Sequence, residues 1–431
     1  MNKKLMAAAV AGVLVAPAAF AQSSNVQLYG RVNGGLDYYS AKGATNGDYD
    51  RDGRFRVFDN SSRVGVRGTE DLGNGLKAIF QIESGVNIDN GPSQTGQGGQ
   101  ANGSTGFWGT RDTWGGLQAA WGRLTYGRQS MYWVNGVNAP FAGAWINTEI
   151  PWTNGTNLGR VSGGGIVTAR VSNTIQYTTP TWAGNNFTLS WSPSAQEAVQ
   201  GQTVGCSVTG IGTTGSTAIS CGTSAQDANG QIWAATWRGT FGPVYAQLDY
   251  ASVHGNAPKA PSSGTRVKAQ LYKAGLGWGY LPGARVALIW VRTKNNNATG
   301  LAGTSVYKDG YTLNWYQRFG NIQAMAQYGW TGDIKGCPTG SNCNDTKSNA
   351  WMIGGRYLLS KRTWLYLTYN QVNNKGNEFV DYTGAAQTST NSGATISESV
   401  TATGGTVTAG VSPTPYGADP RIIALGFFHA F

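Results

Sequence analysis

RVGVRGTEDLGNGLKAIFQIE, from Arg63 to Glu83, carries the clearest structural pattern in the sequence. Before the turn segment EDLGNG, Val64 and Val66 alternate with Arg63 and Arg67. After it, one face holds Leu76, Ala78, Phe80 and Ile82, and the other holds Lys77, Ile79, Gln81 and Glu83. Alternation with a period of two is typical of β-strands that have one apolar and one polar face. The stretch therefore predicts two antiparallel strands joined by a short turn.

The same alternation recurs along the chain. The segment VQLYGRVNGGLDYY, which begins at Val26, places five apolar residues on one face and Arg31 on the other, and VYAQLDY, from Val244 to Tyr250, repeats the pattern. Seven short turns alternate with eight longer connections rich in Gly, Asn, Ser and Thr. Fifteen connections predict sixteen strands.

Composition helps to separate two all-β architectures. Charged residues make up 12% of the chain, compared with ~25% in ordinary soluble domains. A secreted β-sandwich also alternates, but it needs far fewer strands per core and exposes a charged face. An even number of strands, short turns at one end, long loops at the other and an apolar outer face are typical of outer-membrane barrels. We therefore predict an all-β fold, a 16-stranded antiparallel transmembrane β-barrel.

The first 21 residues have the pattern of a secretory signal peptide. Lys3 and Lys4 precede the apolar run Leu5–Val15, and Ala19-Phe20-Ala21 matches a small-x-small cleavage site. The apolar run is shorter than the ~20 residues that a membrane-spanning helix needs. We expect residues 1–21 to be removed and residues 22–431 to form the barrel.

Export also bears on the four cysteines, because disulfides persist in oxidising compartments. Cys206 with Cys221 and Cys337 with Cys343 each lie within one loop-like segment. Metal binding is the alternative, but no histidine lies near either pair. We expect two disulfides, and distance along the chain favours pairing within each segment.

Several segments together resemble the trimeric general porins of Gram-negative bacteria, most closely their β-proteobacterial branch. They are the signal segment, VQLYGRVNGGLDYY, the Arg63–Glu83 stretch, LTYGRQ and the last strand, RIIALGFFHAF, which ends on Phe431. The resemblance implies a homotrimer in the outer membrane, in contact with membrane lipid and lipopolysaccharide, with its third extracellular loop folded inward. It also implies that Phe431 is the terminal aromatic used in assembly. Because sixteen strands leave an aqueous channel, the predicted function is passive diffusion of small hydrophilic solutes.

Arginines are the candidate functional residues of this channel. Alternation with the lipid-facing Val64 and Val66 turns Arg63 and Arg67 inward, and the same parity turns Arg31 inward. By resemblance, Arg63, Arg111 and Arg160 match the basic ladder that faces the constriction loop of general porins. Arg170 lies at the root of the sixth strand. Each arginine taken alone could also be a solvated lumen residue or pair with a nearby Asp or Glu.

The connection at about 130–170 is the predicted constriction loop. It has no clear helical or strand period, and at ~40 residues it far exceeds ordinary connections. General porins often carry acidic residues here, whereas this chain has APFAGAW, which includes Pro140, Phe141 and Trp145, and its lone carboxylate is Glu149. Basic residues without acidic partners concentrate anions in a narrow channel, so we predict anion preference. The alternative is a substrate-selective channel of the same fold with an aromatic-lined constriction.

Other functional classes find little support in the sequence. The two histidines, His254 and His429, have no Ser/Asp constellation around them, so enzymatic activity is not expected. No nucleotide fingerprint or metal-ligand spacing is present, and we expect no cofactor and no metal. The formal charge of +11 would suggest nucleic acid in a soluble protein, but for an exported chain anionic solutes or acidic outer-leaflet lipids are the better candidates.

Overall fold

The computed structural model describes residues 24–45, 47, 50–86, 88, 108–131, 170–193, 206–209, 218–221, 231–254, 268–296, 305–337, 343–378, 399–402, 405–408 and 417–431. The strands in these ranges are β1 (Ser24–Lys42), β2 (Arg51–Asp59), β3 (Arg63–Gly73), β4 (Leu76–Gly85), β5 (Thr113–Ala119), β6 (Gly122–Ser130), β7 (Arg170–Thr178), β8 (Asn185–Ser192), β9 (Cys206–Thr209), β10 (Ala218–Cys221), β11 (Gln231–Phe241), β12 (Val244–His254), β13 (Lys268–Leu281), β14 (Ala284–Asn296), β15 (Ser305–Phe319), β16 (Ile322–Thr331), β17 (Ser348–Leu358), β18 (Thr363–Asn374), β19 (Ser399–Ala402), β20 (Gly405–Thr408) and β21 (Asp419–Ala430). No helix in these ranges is long and apolar enough to cross a membrane.

The main sheet closes on itself. β21 pairs antiparallel with both β18 and β1, so the last strand joins the first. β2 and β3 pair with the C-terminal and N-terminal halves of β1 respectively, and together they form one interrupted barrel strand. The pairs β9–β10 and β19–β20 are separate hairpins. Over the described ranges the barrel therefore has sixteen antiparallel strands, which confirms the predicted fold.

The seam between β1 and β21 ends in a reciprocal backbone pair. The Gly30 N–H donates to the Phe431 carbonyl at 3.2 Å, and the Phe431 N–H donates to the Gly30 carbonyl at 3.1 Å. A side chain at position 30 would meet the Phe431 ring, since an added Cβ would lie 2.4 Å from it. Glycine at position 30 thus allows the ring to lie against the first strand.

Side chains alternate between outside and interior as the sequence predicts. On β18, Leu365 and Leu367 are 44% and 58% exposed, whereas Tyr366 between them is 2% exposed. On β1, Leu36 is exposed and Asp37 is buried. Many exposed side chains of the barrel strands are apolar, and many of the buried ones are polar. This is the reverse of a soluble protein and suits a barrel surrounded by hydrocarbon.

The connections divide between the two ends of the barrel. All seven predicted short turns lie at one end, here called the short-turn end. In the first of them Asn74 and Gly75 have φ of 53° and 78°, as a type I′ hairpin requires. The opposite end, here called the long-loop end, carries the longer connections.

Described parts of the long connections are fixed to the barrel wall. Cys337 and Cys343 are joined by a disulfide in the connection after β16. Lys308 on β15 forms a buried ion pair with Glu378, which follows β18, and also donates to the Thr346 carbonyl. These bonds join two connections to one barrel strand.

Candidate functional site

An acidic side chain, Glu83, lies among arginines on the interior face of the wall. Its Oε1 lies 2.5 Å from Arg111 Nε and 3.6 Å from Arg63 Nη1. The Tyr29 hydroxyl donates to its Oε2 at 3.1 Å. Tyr29 reaches Glu83 across β3 because Gly65 leaves room: an added Cβ there would lie 2.5 Å from the Tyr29 ring. One carboxylate therefore positions two guanidinium groups.

Arg31 is held by the interruption between β2 and β3. Ser61 there has φ of 64°, in the left-handed region. Arg31 Nε donates to the Ser61 carbonyl at 2.9 Å and its Nη2 to the Asn60 carbonyl at 3.4 Å. Arg111 Nη1 donates to Ser61 Oγ at 3.1 Å. The strand break thus supplies neutral acceptors for two interior arginines, and beside them the buried Asp59 accepts from the Ser62 N–H at 3.2 Å.

Asp112 joins the two roots of the 130–170 connection. Its Oδ1 accepts from the Ser130 N–H at 2.9 Å and from Ser130 Oγ at 3.1 Å. Its Oδ2 accepts from Arg170 Nε at 2.7 Å. Ser130 ends β6 and Arg170 begins β7, and the two residues are also paired in register. A single carboxylate therefore fixes the base of the predicted constriction loop.

We call Arg31, Arg63, Arg111 and Arg170 the lumen arginine cluster. Glu83 and Asp112 are the carboxylates within salt-bridge distance of its members among the described residues. Counted within salt-bridge distance, four guanidinium groups face two carboxylates, which is an excess of two positive charges. The acids lie on the wall itself, so Arg63, Arg111 and Arg170 pair with a nearby Asp or Glu, which was the alternative considered for each arginine taken alone.

Arg67 lies apart from the cluster, four positions nearer the short-turn end on β3. Its Nε and Nη2 donate to Gln27 Oε1 at 2.9 and 2.7 Å, and its guanidinium lies 5.1 Å from the Tyr29 ring centroid. Its side chain is exposed. Arg67 therefore extends the basic wall beyond Tyr29 rather than sharing the acids of the cluster.

A further basic pair lies towards the long-loop end on β2. Arg56 makes a bidentate contact with Asp37, with Nε–Oδ1 of 2.9 Å and Nη2–Oδ2 of 2.8 Å. Arg54 lies with its guanidinium 5.8 Å from the Tyr39 ring centroid. These arginines were not among the predicted site residues, although their alternation with the exposed Phe55 and Val57 is a signal that could have found them.

Several predicted site residues fall outside the described ranges. These are Arg160 of the ladder and Pro140, Phe141, Trp145 and Glu149 of the loop. Cys206 and Cys221 are register partners in the β9–β10 hairpin, and the disulfide between them stays a prediction. No group of three or more His, Cys, Asp or Glu side chains with metal-binding geometry occurs in the part of the chain that the structure describes.

The family model of the Gram-negative porins matches residues 7–377 of this sequence. The chain belongs to the Gram-negative porin family. This porin is therefore a channel protein rather than an enzyme, and it lies in the outer membrane.

Individual porins are similar over different lengths. An outer membrane porin protein of Bordetella pertussis is 29% identical over 403 residues, which cover 85% of this chain and 93% of the relative. Major outer membrane protein P.IB of Neisseria meningitidis is 33% identical over 129 residues, which cover 30% of this chain and 34% of the relative. The first of these relatives supports placing the chain among β-proteobacterial general porins.

Solved structures share the fold. An anion-selective porin from Comamonas acidovorans superimposes with a TM-score of 0.66 at 21% identity, covering 95% of this chain and 100% of that one. The trimer form of OmpT from Vibrio cholerae has a TM-score of 0.57 at 11% identity, with 95% of this chain and 100% of that chain covered. At these identities the likeness concerns the fold alone.

Proposed function

We propose that this porin passes small hydrophilic solutes by passive diffusion and prefers anions. The observation that carries the proposal is the lumen arginine cluster, where four guanidinium groups are opposed by two carboxylates. In a channel with low-dielectric walls, excess charge of one sign raises the local concentration of counter-ions. Arginine rings and clusters are a common basis of anion selectivity in pores.

The guanidinium groups that carry the excess positive charge are held in place by specific contacts. Arg111 contacts Glu83 and Ser61, while Arg31 binds backbone carbonyls at the strand break. Fixed guanidinium groups give a permeating anion a field that does not depend on side-chain reorganisation. The fold shared with the anion-selective porin from Comamonas acidovorans also supports the proposal.

The test is the reversal potential of the full-length porin in a planar bilayer under a potassium chloride gradient. We expect a sign that indicates chloride over potassium. Replacing both Arg63 and Arg111 with Gln should move the potential towards the cation side, because the excess charge disappears. Lys361→Gln combined with Arg362→Gln, the same loss of two charges on an exposed turn, should leave it unchanged. Cation selectivity of the unmodified porin would overturn the proposal.

We also propose that the porin assembles as a homotrimer embedded in outer-membrane lipid and lipopolysaccharide. The trimer form of OmpT, which shares the fold, supports this assembly. The exposed apolar side chains of the outer face provide the surface for both lipid and neighbouring subunits. Chemical cross-linking of the detergent-extracted protein, followed by mass measurement, should yield a species of three chains. A cross-linked product limited to one chain would contradict the assembly.

The N-terminal segment 1–21 is proposed to be removed on export. The mass of the mature porin isolated from the outer membrane should then correspond to a chain that starts near Gln22.

A further inference from the structure

Four side chains from four adjacent strands form a continuous stack near the short-turn end. The rings of Trp364 on β18 and Phe428 on β21 are parallel within 5°, with centroids 3.7 Å apart. The Arg356 guanidinium of β17 lies 4.4 Å from the Trp364 ring centroid. The Arg31 guanidinium of β1 lies 5.8 Å from the Phe428 ring centroid. A guanidinium group therefore covers each end of an aromatic pair, and we call these four residues the cation–aromatic stack.

Alternation along the strands places the stack inside the barrel. Each of three stack residues has a sequence neighbour that is exposed on the outer face: Leu365 next to Trp364 (44%), Phe427 next to Phe428 (41%) and Tyr357 next to Arg356 (50%). Their neighbours Trp364, Phe428 and Arg356 consequently face the lumen. Trp364 and Phe428 are also directly opposite in the pairing of β18 with β21. The rings thus stack from strand to strand, with their edges towards the channel.

The electrostatics of the stack favour a negative group at its lumen edge. An aromatic ring is negative on its faces and positive at its edge. Here each ring covers one face of the other, and a guanidinium group covers each outer face. The ring edges and the edges of the guanidinium groups are therefore what faces the channel. Among the described residues, neither Arg356 nor Arg31 has a carboxylate within salt-bridge distance.

Two donors of the stack also lack acceptors. Arg356 Nε donates to Gln323 Oε1, but Arg356 Nη1 and Trp364 Nε1 are buried and find no acceptor in the described part of the porin. An unsatisfied buried donor is unfavourable, and donors that carry charge gain most from an acceptor. Carboxylate and phosphate oxygens are acceptors that carry the complementary charge.

Arg31 connects this stack to the lumen arginine cluster, because it belongs to both. On one side its guanidinium covers Phe428, and on the other it binds the carbonyls of the strand break beside Arg111. Basic groups therefore continue from Arg111 and Arg63 through Arg31 to Arg356, near the short-turn mouth. The aromatic pair bridges the gap between the last two.

We propose that the cation–aromatic stack is a second anion-binding site of the channel, on the short-turn side of the lumen arginine cluster, and that it takes small oxyanions bearing carboxylate or phosphate groups. This inference rests on the proposed anion preference. An oxyanion that leaves the cluster towards the short-turn end binds at Arg356 and Trp364 before it reaches bulk water. Chloride, with a single atom, engages fewer of these donors at once.

The test is the single-channel conductance of the full-length porin as a function of salt concentration, measured in sodium phosphate, sodium acetate and sodium chloride. We expect conductance to saturate at lower concentration in the oxyanion salts than in chloride. Arg356→Gln should raise the half-saturating concentration for an oxyanion roughly tenfold, as expected for loss of one charge-assisted contact. Arg362→Gln, at the same end of the barrel but outside the stack, is the matched control and should behave as the unmodified porin.

Two further variants separate binding from folding. Arg356→Lys keeps the charge, and Trp364→Phe keeps a ring against Phe428 while it removes the Nε1 donor. Both should form the heat-modifiable barrel, and both should shift the oxyanion curve in the same direction as Arg356→Gln by a smaller factor. A shift with acetate alone identifies the site as a carboxylate site, a shift with phosphate alone as a phosphate site, and either supports the proposal.

The outcomes distinguish this inference from the function on which it rests. If the porin is anion-selective in potassium chloride but its oxyanion saturation curves are the same in Arg356→Gln and Arg362→Gln, the stack is not a binding site and the proposed function stands. If the unmodified porin is cation-selective, the proposed function itself fails.

Discussion

Glu83 controls how much of the arginine charge reaches the channel. Its carboxylate lies between Arg111 and Arg63, and Glu83→Gln would raise the excess charge of the cluster from two to three. We expect the reversal potential in a potassium chloride gradient to move further towards the chloride equilibrium potential. Glu70→Gln, the same change at an exposed position of β3, should have no effect. Identical potentials for the unmodified porin and Glu83→Gln would contradict the role assigned to Glu83.

The sequence predicts which site residues face the interior of the barrel, but it does not predict which side chains they contact. Parity alone places Arg31, Arg63 and Glu83 on interior faces, because Val64 and Ile82 must face lipid. The contact of Arg111 with both Glu83 and Ser61 depends on where β2 ends and how the chain returns before β5. Glu83 and Ser61 are 28 and 50 residues away from Arg111 in the sequence. A local sequence pattern does not predict contacts between residues that far apart.

The base of the 130–170 connection depends on one side chain, Asp112. Asp112→Ala would leave the Ser130 N–H and the Arg170 guanidinium without their acceptor, and each lost partner costs about 1–3 kcal/mol. We expect faster amide hydrogen exchange in peptides that contain Ser130 and Arg170. Asp71→Ala, which removes a carboxylate that accepts from Gly73 N–H in the β3–β4 turn, serves as the control. Unchanged exchange at Ser130 in Asp112→Ala would show that strand pairing alone fixes the roots.

The interruption between β2 and β3 was not predicted, although the sequence carries a trace of it. Phe55 and Val57 are exposed at odd positions, whereas Val64 and Val66 continue the outer face at even positions. A continuous strand would turn one of these pairs inward. The break at Asn60–Ser62 restores the alternation, and its carbonyls become the acceptors for Arg31. A shift of the apolar residues from odd to even positions therefore indicates a strand break, which here lies next to the functional site.

The outer surface of the barrel sets the stability of the whole molecule. Leu425 lies in the middle of β21, opposite Leu36 and Leu367 and exposed on the outer face. Arginine at a lipid-facing position costs about 2–4 kcal/mol at the bilayer midplane and about 0–1 kcal/mol near its edges. Leu425→Arg should lower the free energy of unfolding in lipid vesicles, measured by urea titration, by the larger amount. Leu281→Arg, at the short-turn end of β13, should lower the free energy of unfolding by the smaller amount, about 0–1 kcal/mol.

The global architecture was the part most accessible from sequence. Surrounding hydrocarbon requires apolar and polar side chains to alternate on every strand, and the connections differ in length at the two ends of the barrel. The sequence therefore predicts both the number of strands and the side of the wall that each residue faces. The hairpins β9–β10 and β19–β20 were not predicted, because they lie within Gly- and Thr-rich connections where alternation is short. Selectivity depends on distances between charged groups, which periodicity does not encode.

The pairing of Gly30 with Phe431 has a kinetic consequence. The two residues are separated by nearly the whole sequence, so the entropy lost when the first and last strands meet is that of a very long loop. Contacts of such high order are associated with slow folding. Until they form, β1 and β21 are open edges that can add strands from other chains. The time that the barrel spends unclosed, rather than its final stability, therefore sets its exposure to aggregation during assembly.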